Sequence, residues 1–462
     1  MPKKVAFIWG KFLGLRGKPS LIFLAVITLI VFVGSSGVEP AKAAGAGLYE
    51  VGAGKTYVTI QAALNKLFVD QGAVPFTATQ TISVFDGTYS ESVTPNAALV
   101  PTSSFRLVIE AADGSHPVLD SGNTLSRAFN VGVTAGNLTI RGFIIRNYTT
   151  YGIRCDAVPN VIFNNNTLSS FSSTAIYFGH GGNNALIYNN IIRNAGNGIE
   201  LRTSSGSTVY NNYIYGSIQH GFRIFEMTNF LFYNNLVTNS GDEGIRLITS
   251  TGNRVYNNTI YNVTRDGVRG GIYLVTTSPN NTLKNNIVWE NGSATNYSIY
   301  VENAASQAGL VSDNNDLYVT SSSKVAYLAG ADENTLPGWQ AASGQDTHSL
   351  SADPLFLNVD GTDDTDFKLN NGSPCAEAGM DLSGVFTTDY FGSTRTAPWS
   401  QGIYELEVPP TPAPTPTATP GPSSTAVSSP ASSAGALPET GASASLWAIL
   451  VRTVERLLIR AL

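Results

Sequence analysis

The sequence predicts an all-β solenoid of stacked parallel turns, and three observations carry that prediction. A short phrase recurs at a near-constant step, a second phrase follows it about ten residues later, and both alternate apolar and polar side chains. The first phrase reads Ile187-Tyr188-Asn189-Asn190, Val209-Tyr210-Asn211-Asn212, Phe232-Tyr233-Asn234-Asn235 and Val255-Tyr256-Asn257-Asn258, with Leu283-Lys284-Asn285-Asn286 and Asp313-Asn314-Asn315 beyond. Its first asparagines at 189, 211, 234 and 257 are separated by 22, 23 and 23 residues. The second phrase is Gly198-Ile199-Glu200-Leu201, then Gly221-Phe222-Arg223-Ile224, Gly244-Ile245-Arg246-Leu247 and Gly271-Ile272-Tyr273-Leu274. Alternation with period two means strands, and two or three short strands per repeat bury their apolar sides only by stacking on the next repeat. Stacking places Ile199, Phe222, Ile245 and Ile272 inside, with Glu200, Arg223, Arg246 and Tyr273 outside at a step of about 4.8 Å. The recurring Asn-Asn predicts ladders of side-chain amides bonded from turn to turn.

At these residues the chain resembles the right-handed parallel β-helix family, the architecture of pectate lyases, pectin esterases and many secreted bacterial surface proteins. The resemblance spans roughly residues 48–405. It implies a single-stranded right-handed parallel β-helix, and it leaves function open, because one solenoid hosts lyases, hydrolases, esterases and non-catalytic adhesins.

The elements follow in order. Lys3, Lys4, Lys11, Arg16 and Lys18 precede an apolar run, Leu21 to Val33, and then Ala41-Lys42-Ala43. That order is the one a secretory signal requires, so residues 1–43 are read as a signal peptide, with a run too short to span a bilayer comfortably. Without them the formal charge of −6 becomes −11, which argues against nucleic-acid binding. Cys155 and Cys375 then face an oxidising compartment; Cys155 sits on the inward parity beside Ile153, as a buried small apolar side chain would.

Residues 44–405 form the predicted β-helix with caps at both ends. Thr59 is the expected N-cap of a short amphipathic helix running to Phe68, which would cover the open N-terminal end. Gly54-Lys55-Thr56 lacks the spacing of a phosphate loop, since Glu50 stands where its first glycine belongs. The opening phrase, with Val84-Phe85-Asp86-Gly87-Thr88-Tyr89 and Glu91, looks like the first turn of pectate-lyase-like chains. From Asp353-Pro354-Leu355-Phe356 to Gly402-Ile403-Tyr404-Glu405 the chain resembles the closing segment of secreted β-helix proteins, except that Ser400-Gln401 replace the usual Asp-Ile. That segment is expected to act as a cap.

Residues 406–436 are rich in Pro, Thr, Ser and Ala, a composition that buries no core and makes a disordered, extended stalk. It leads to Leu437-Pro438-Glu439-Thr440-Gly441, which looks like the signal that sortases cut between Thr and Gly to join a protein to peptidoglycan. Arg452, Glu455 and Arg456 interrupt the apolar tail within 437–462, so an amphipathic helix lying at the membrane surface is the rival reading. Either places the protein at the cell surface.

Chemistry is expected on outward columns of the solenoid. Tyr188, Tyr210, Tyr233 and Tyr256 form an aromatic column that would serve as a platform for sugar rings or simply stabilise the turns. A second column runs Arg154, Tyr177, Glu200, Arg223, Arg246, Tyr273, Tyr300, with Arg202 and Glu302 two residues on. His220, Asp242-Glu243 and the insertion Arg265-Asp266-Gly267-Val268-Arg269 precede its strands. These groups suit two mechanisms. In β-elimination on a uronic-acid polymer, Arg223 or Arg246 would take the proton while Ca²⁺ or a second cation stabilises the developing charge. In hydrolysis, Asp242, Glu243 and Asp266 would supply the two carboxylates. His220 completes the catalytic set, with Glu200, Arg202, Arg269 and Tyr273 as substrate contacts. The opposing reading pairs Glu200 with Arg223 and Glu243 with Arg246 as exposed ion pairs, each contributing about 0 to 1 kcal/mol. Asp360, Asp363, Asp364 and Asp366 would either hold Ca²⁺ or form a solvated turn. The functional expectation is a secreted, surface-anchored protein that binds an extracellular polysaccharide and cleaves it as a lyase or hydrolase, against a non-catalytic surface adhesin or structural rod.

Overall fold

The computed structural model describes residues 47–132, 136–263, 269–290, 296–320 and 323–406, Arg269 by its backbone alone. The signal segment, Asp266 and the Leu437–Gly441 motif lie outside the described residues. Each turn of the chain contributes to three stacks of parallel strands. The first is an 11-stranded sheet from Leu48–Val51 to Val311–Asp313. The second runs from Thr88–Tyr89 to Asp316–Val319, and the third from Arg127–Val131 to Lys324–Leu328, where an antiparallel strand, Ala331–Glu333, ends the stacking. In Thr167–Gly179 and Ile191–Ser205 the second and third strands of a turn merge into one.

Register follows the repeat. Ile199 pairs with Phe222, Phe222 with Ile245, Ile245 with Ile272 and Ile272 with Ile299, all buried in one continuous core. The glycine before each of Ile199, Phe222, Ile245 and Ile272 faces inward where the second sheet meets the third. A Cβ on Gly221 would stand 2.4 Å from Val237 Cγ1, and one on Gly244 2.5 Å from Ile260 Cγ2, so the Gly-Ile phrase records a packing limit.

The two asparagines of Asn-Asn have different work. The first adopts left-handed backbone (φ 54° at Asn189, 53° at Asn211, 52° at Asn234), a conformation asparagine tolerates better than other non-glycine residues. The second builds the expected amide ladder from turn to turn, whereas among the first asparagines Asn285 Nδ2 donates to Asn257 Oδ1 (3.1 Å). Asn166, Asn190, Asn212, Asn235, Asn258 and Asn286 each donate Nδ2 to the next asparagine's Oδ1 at 2.9–3.0 Å, ending at Asn315. Asn315 in turn donates to Asp346 Oδ1 (2.9 Å).

Caps close the ends. Thr59 accepts from Ala62 N (3.2 Å) and starts the helix Ile60–Gln71, three residues longer than expected, which buries Ile60, Ala63, Leu64 and Leu67. At the far end a second helix, Leu336–Ser343, inserts Trp339, whose indole donates to Asp346 Oδ2 (2.8 Å). This helix had no counterpart in the sequence reading.

Residues 353–406 depart from the expected end cap. They run back along the outer face of the second sheet, where Phe356, Phe367, Cys375 and Ile403 pack on Tyr213, Leu236, Tyr261, Ile287 and Trp289. First asparagines of the later turns hold this segment: Asn234 Nδ2 donates to Thr388 O (2.8 Å), Asn257 to Ser400 O (3.0 Å) and Asn285 to Met380 O (2.8 Å). Ser400 and Gln401 are fully buried there, Gln401 donating to Asn314 O (2.8 Å). Both cysteines are buried and unpaired.

Beneath this segment Asp316 accepts from Ala352 N (3.0 Å) and Cys375 Sγ (3.2 Å). Burial, with the charge of Asp353, pushes its carboxyl from 3.8 up to about 7 against these two hydrogen bonds. The folded chain therefore holds this proton more tightly than the unfolded one. The stability so gained is full below pH 3.8 and is lost as pH rises to about 7. Asp316→Asn keeps an acceptor for Ala352 and cannot ionise. Its melting temperature relative to wild type is expected to climb between pH 4 and pH 7 and level off above, as parallel thermal melts would show; a constant offset would contradict a neutral Asp316.

Candidate functional site

The outer face of the third sheet carries the charged column. Arg154, Tyr177, Glu200, Arg223, Arg246, Tyr273, Tyr300 and Tyr327 follow one another in strict register. Alternation alone puts them outside; their depth depends on the neighbours.

Glu200 lies under the surface, its side chain 6% exposed, and accepts from Arg202 Nε, Arg223 Nη1 (3.0 Å) and Thr174 Oγ1 (3.2 Å). Burial alone would lower the Arg202 guanidinium, but the Glu200 carboxylate outweighs it and holds the group above its ordinary value. One turn on, Glu243 (2% exposed) stands 2.8 Å from His220 Nδ1 and 3.9 Å from Arg246 Nη1. Burial works to raise the Glu243 carboxyl, yet His220 and Arg246 together keep it below the usual range. Asp242 is 43% exposed, with Oδ2 3.9 Å from His220 Nδ1. The arginines remain at the surface: 32% exposed at Arg154, 30% at Arg202, 29% at Arg223 and 26% at Arg246. Glu200 and Glu243 are sealed below, and the guanidinium groups beside them face solvent.

This arrangement divides the expected set. His220, Asp242, Glu243 and Arg246 converge; Glu200, Arg202 and Arg223 form a separate group one turn away. Arg223 and Arg246, like charges one turn apart, each sit beside a carboxylate that offsets their repulsion. Three assignments are corrected. Tyr273, expected to touch substrate, is 1% exposed and packs under the Arg246 guanidinium and against Tyr300. Glu200 and Glu243 are anchors for arginines, too deep to meet a sugar. Asp242 and Glu243 each bring one carboxylate oxygen within 4.8 Å of the other and of a His220 nitrogen. Asp266 and the Arg269 side chain lie outside the described residues.

The aromatic column is also corrected. Tyr188, Tyr210 and Tyr233 stack face to face, 4.8 and 4.9 Å apart with interplanar angles of 7° and 2°, and Phe386 stacks on Tyr233 at 4.3 Å. Each inner ring spends its faces on its neighbours, so the sugar-stacking platform is absent there; Tyr256 is buried beside Phe386 and Trp399.

Sequence reasoning missed His180 and Asp156. His180 Nε2 is 2.9 Å from Tyr177 Oη, and Asp156 Oδ2 is 2.7 Å from Arg154 Nη2. Burial, followed by the Asp156 charge, pushes the Tyr177 hydroxyl up to about 12. The signal for both was their place at the ends of strands adjoining the column.

The acid-rich turn does not fit Ca²⁺, which takes six to eight oxygen ligands. Asp363 and Asp366 cap the 3₁₀ turn Asp364–Phe367, and Asp364 accepts from Tyr390 Oη (2.9 Å).

Residues 151–317 match the family model described as a right-handed β-helix region. No curated protein matches the chain. Among solved structures, the chain is similar to pectate lyase Pel9A, at 14% identity over 74% of this chain and 91% of that one, with a TM-score of 0.45. It is also similar to XylC in complex with xylose (12%, 78% and 98%, TM-score 0.43). A third is the polysaccharide lyase Pedsa3628 of family PL6 from Pseudopedobacter saltans (14%, 67% and 93%, TM-score 0.39). At such identity the chemistry of the face rests on its own residues.

Proposed function

We propose that the protein binds an acidic polysaccharide along the outer face of the third sheet. The observation that carries this reading is the layering of charge, with Glu200 and Glu243 sealed beneath Arg202, Arg223 and Arg246. Fixed guanidinium forks one strand spacing apart suit a chain of carboxylate or sulfate groups, for which bidentate donors are the preferred partners. Binding without cleavage is the better-supported form. A guanidinium resists deprotonation, which disfavours Arg223 and Arg246 as the base of an elimination, and Glu243 is only 2% exposed. Attachment to the cell surface through Leu437–Gly441, with a sortase and peptidoglycan as partners, belongs to the same proposal. Wall fragments ending at Thr440 would support it, and a chain released intact from the surface would remove it.

The test uses the mature chain against uronic-acid, sulfated and neutral polysaccharides. Arg202→Gln/Arg223→Gln keeps hydrogen-bond donors for Glu200 while removing both charges. Losing two charge-assisted contacts is expected to weaken binding of acidic polymers by about tenfold or more, while neutral polymers bind neither form. Unchanged affinity in a double variant that melts like wild type would remove this face from the function. Unsaturated or new reducing ends in the same mixtures would show catalysis and overturn the binding-only form.

A further inference from the structure

His220 and the Asp242-Glu243 pair occupy equivalent corners of adjacent turns, where the second sheet passes into the third. Backbone hydrogen bonds fix these corners on each other: Gly221 N donates to Glu243 O (3.0 Å) and Asp242 N to Gln219 O (2.9 Å). Three donor atoms consequently face one point. His220 Nδ1 lies 2.8 Å from Glu243 Oε2 and 3.9 Å from Asp242 Oδ2, and all three ligand atoms fall within 4.8 Å of one another.

His220 is the informative member. It is 5% exposed, yet its Nδ1 closes no hydrogen bond of normal geometry, although a carboxylate oxygen stands so near. A buried imidazole nitrogen 2.8 Å from one carboxylate and 3.9 Å from a second, with no aligned hydrogen bond to either, has the disposition of a ligand. One imidazole and two carboxylates form a donor set for zinc-class divalent ions, which accept mixed nitrogen and oxygen ligands at about 2.0–2.2 Å. Hard cations such as Ca²⁺ prefer oxygen alone in larger number. Asp242, 43% exposed, leaves an entry path on the solvent side.

We propose that His220, Asp242 and Glu243 form a binding site for a divalent transition-metal ion, with Zn²⁺ as its representative. The ion draws the two carboxylates together around the imidazole nitrogen and keeps its solvent side open to water. Among the described residues Arg246, 3.9 Å from Glu243, is a competing cation, and it yields Glu243 when the ion enters. The site stands apart from the polysaccharide reading, because the ion is measured with no saccharide present.

The experiment is calorimetric titration of the mature chain with ZnCl₂, with CaCl₂ as the comparison, and metal analysis after dialysis. One equivalent of Zn²⁺ and no uptake of Ca²⁺ are expected. Asp242→Asn and His220→Gln are each expected to weaken Zn²⁺ by about tenfold or more, whereas Arg246→Gln tightens it by removing the competitor. Asp242 is at the surface, so Asp242→Asn remains decisive if His220→Gln fails to fold. No stoichiometric Zn²⁺, or uptake that Asp242→Asn leaves unchanged, would overturn the site and assign any bound metal to the exposed histidines His116, His180 and His348.

Discussion

Asn212→Ala is expected to cost the solenoid about 3–5 kcal/mol, because a single side chain serves three successive turns. Its Nδ2 donates to Asn235 Oδ1 (3.0 Å), Ile187 O (2.9 Å) and Tyr210 O (3.1 Å). Its Oδ1 accepts from Asn190 Nδ2 (2.9 Å) and from Asn190 N (3.1 Å). Truncation leaves a backbone N–H and several carbonyls buried without these partners, each at about 1–3 kcal/mol before relaxation. Its neighbour supplies the control. Asn211 has left-handed backbone, φ 53°, and its Oδ1 meets no hydrogen-bond partner. Asn211→Gly is accordingly expected to stay within about 1 kcal/mol of wild type, glycine meeting the same backbone without strain. Denaturant melts read the difference, and amide exchange over strands 208–215 locates it, since solenoid stability is a sum over neighbouring turns. Equal losses at the two positions would contradict the division of work within Asn-Asn.

Arg395→Leu is expected to free residues 353–406 from the second sheet while the stacked turns persist. The guanidinium is fully buried and joins two parts of the chain: Nη2 donates to Asn234 Oδ1 (2.9 Å) and Gly402 O (2.9 Å), and Nη1 to Glu405 Oε2 (3.1 Å) and Ser400 O (3.2 Å). Burial pulls the guanidinium down to about 10 against the attraction of Glu405 and Asp389, and burial likewise raises the Glu405 carboxyl. Both shifts show that desolvation is incompletely repaid, so removing one partner strands the other at about 3–5 kcal/mol. Limited proteolysis should expose new sites within 353–406 ahead of any in the turns. Arg395→Lys, which keeps the charge without the planar fork, should fall between. A leucine variant as protease-resistant as wild type would mean that the apolar contacts of Phe356, Phe367 and Ile403 hold the segment unaided.

The charged face was half legible. Period-two alternation named Arg154, Tyr177, Glu200, Arg223 and Arg246 as one column, and the pairing bears this out residue by residue. Alternation has no term for depth, however. Glu200 and Glu243 are shorter than arginine and sink to the backbone, while the longer side chains reach past them to solvent. For the tyrosines the step and the stacking that stabilises the turns were both legible; that Phe386 would cover the Tyr233 ring was not. His220 beside Glu243 was foreseen as proximity; the misaligned, buried imidazole nitrogen was not.

By itself the sequence determined the solenoid, its strands and its register, and the helix begun by Thr59. Strands and register depend on contacts between a residue and its counterpart one repeat away, so the period written in the chain is their contact map, while the helix depends on its local cap. Tertiary structure alone decided where residues 353–406 lie, which asparagines hold them, and which charges stay at the surface. Those outcomes join positions such as Arg395 and Asn234, 161 residues apart with no repeat between them, and they follow from shape and burial that no local pattern encodes.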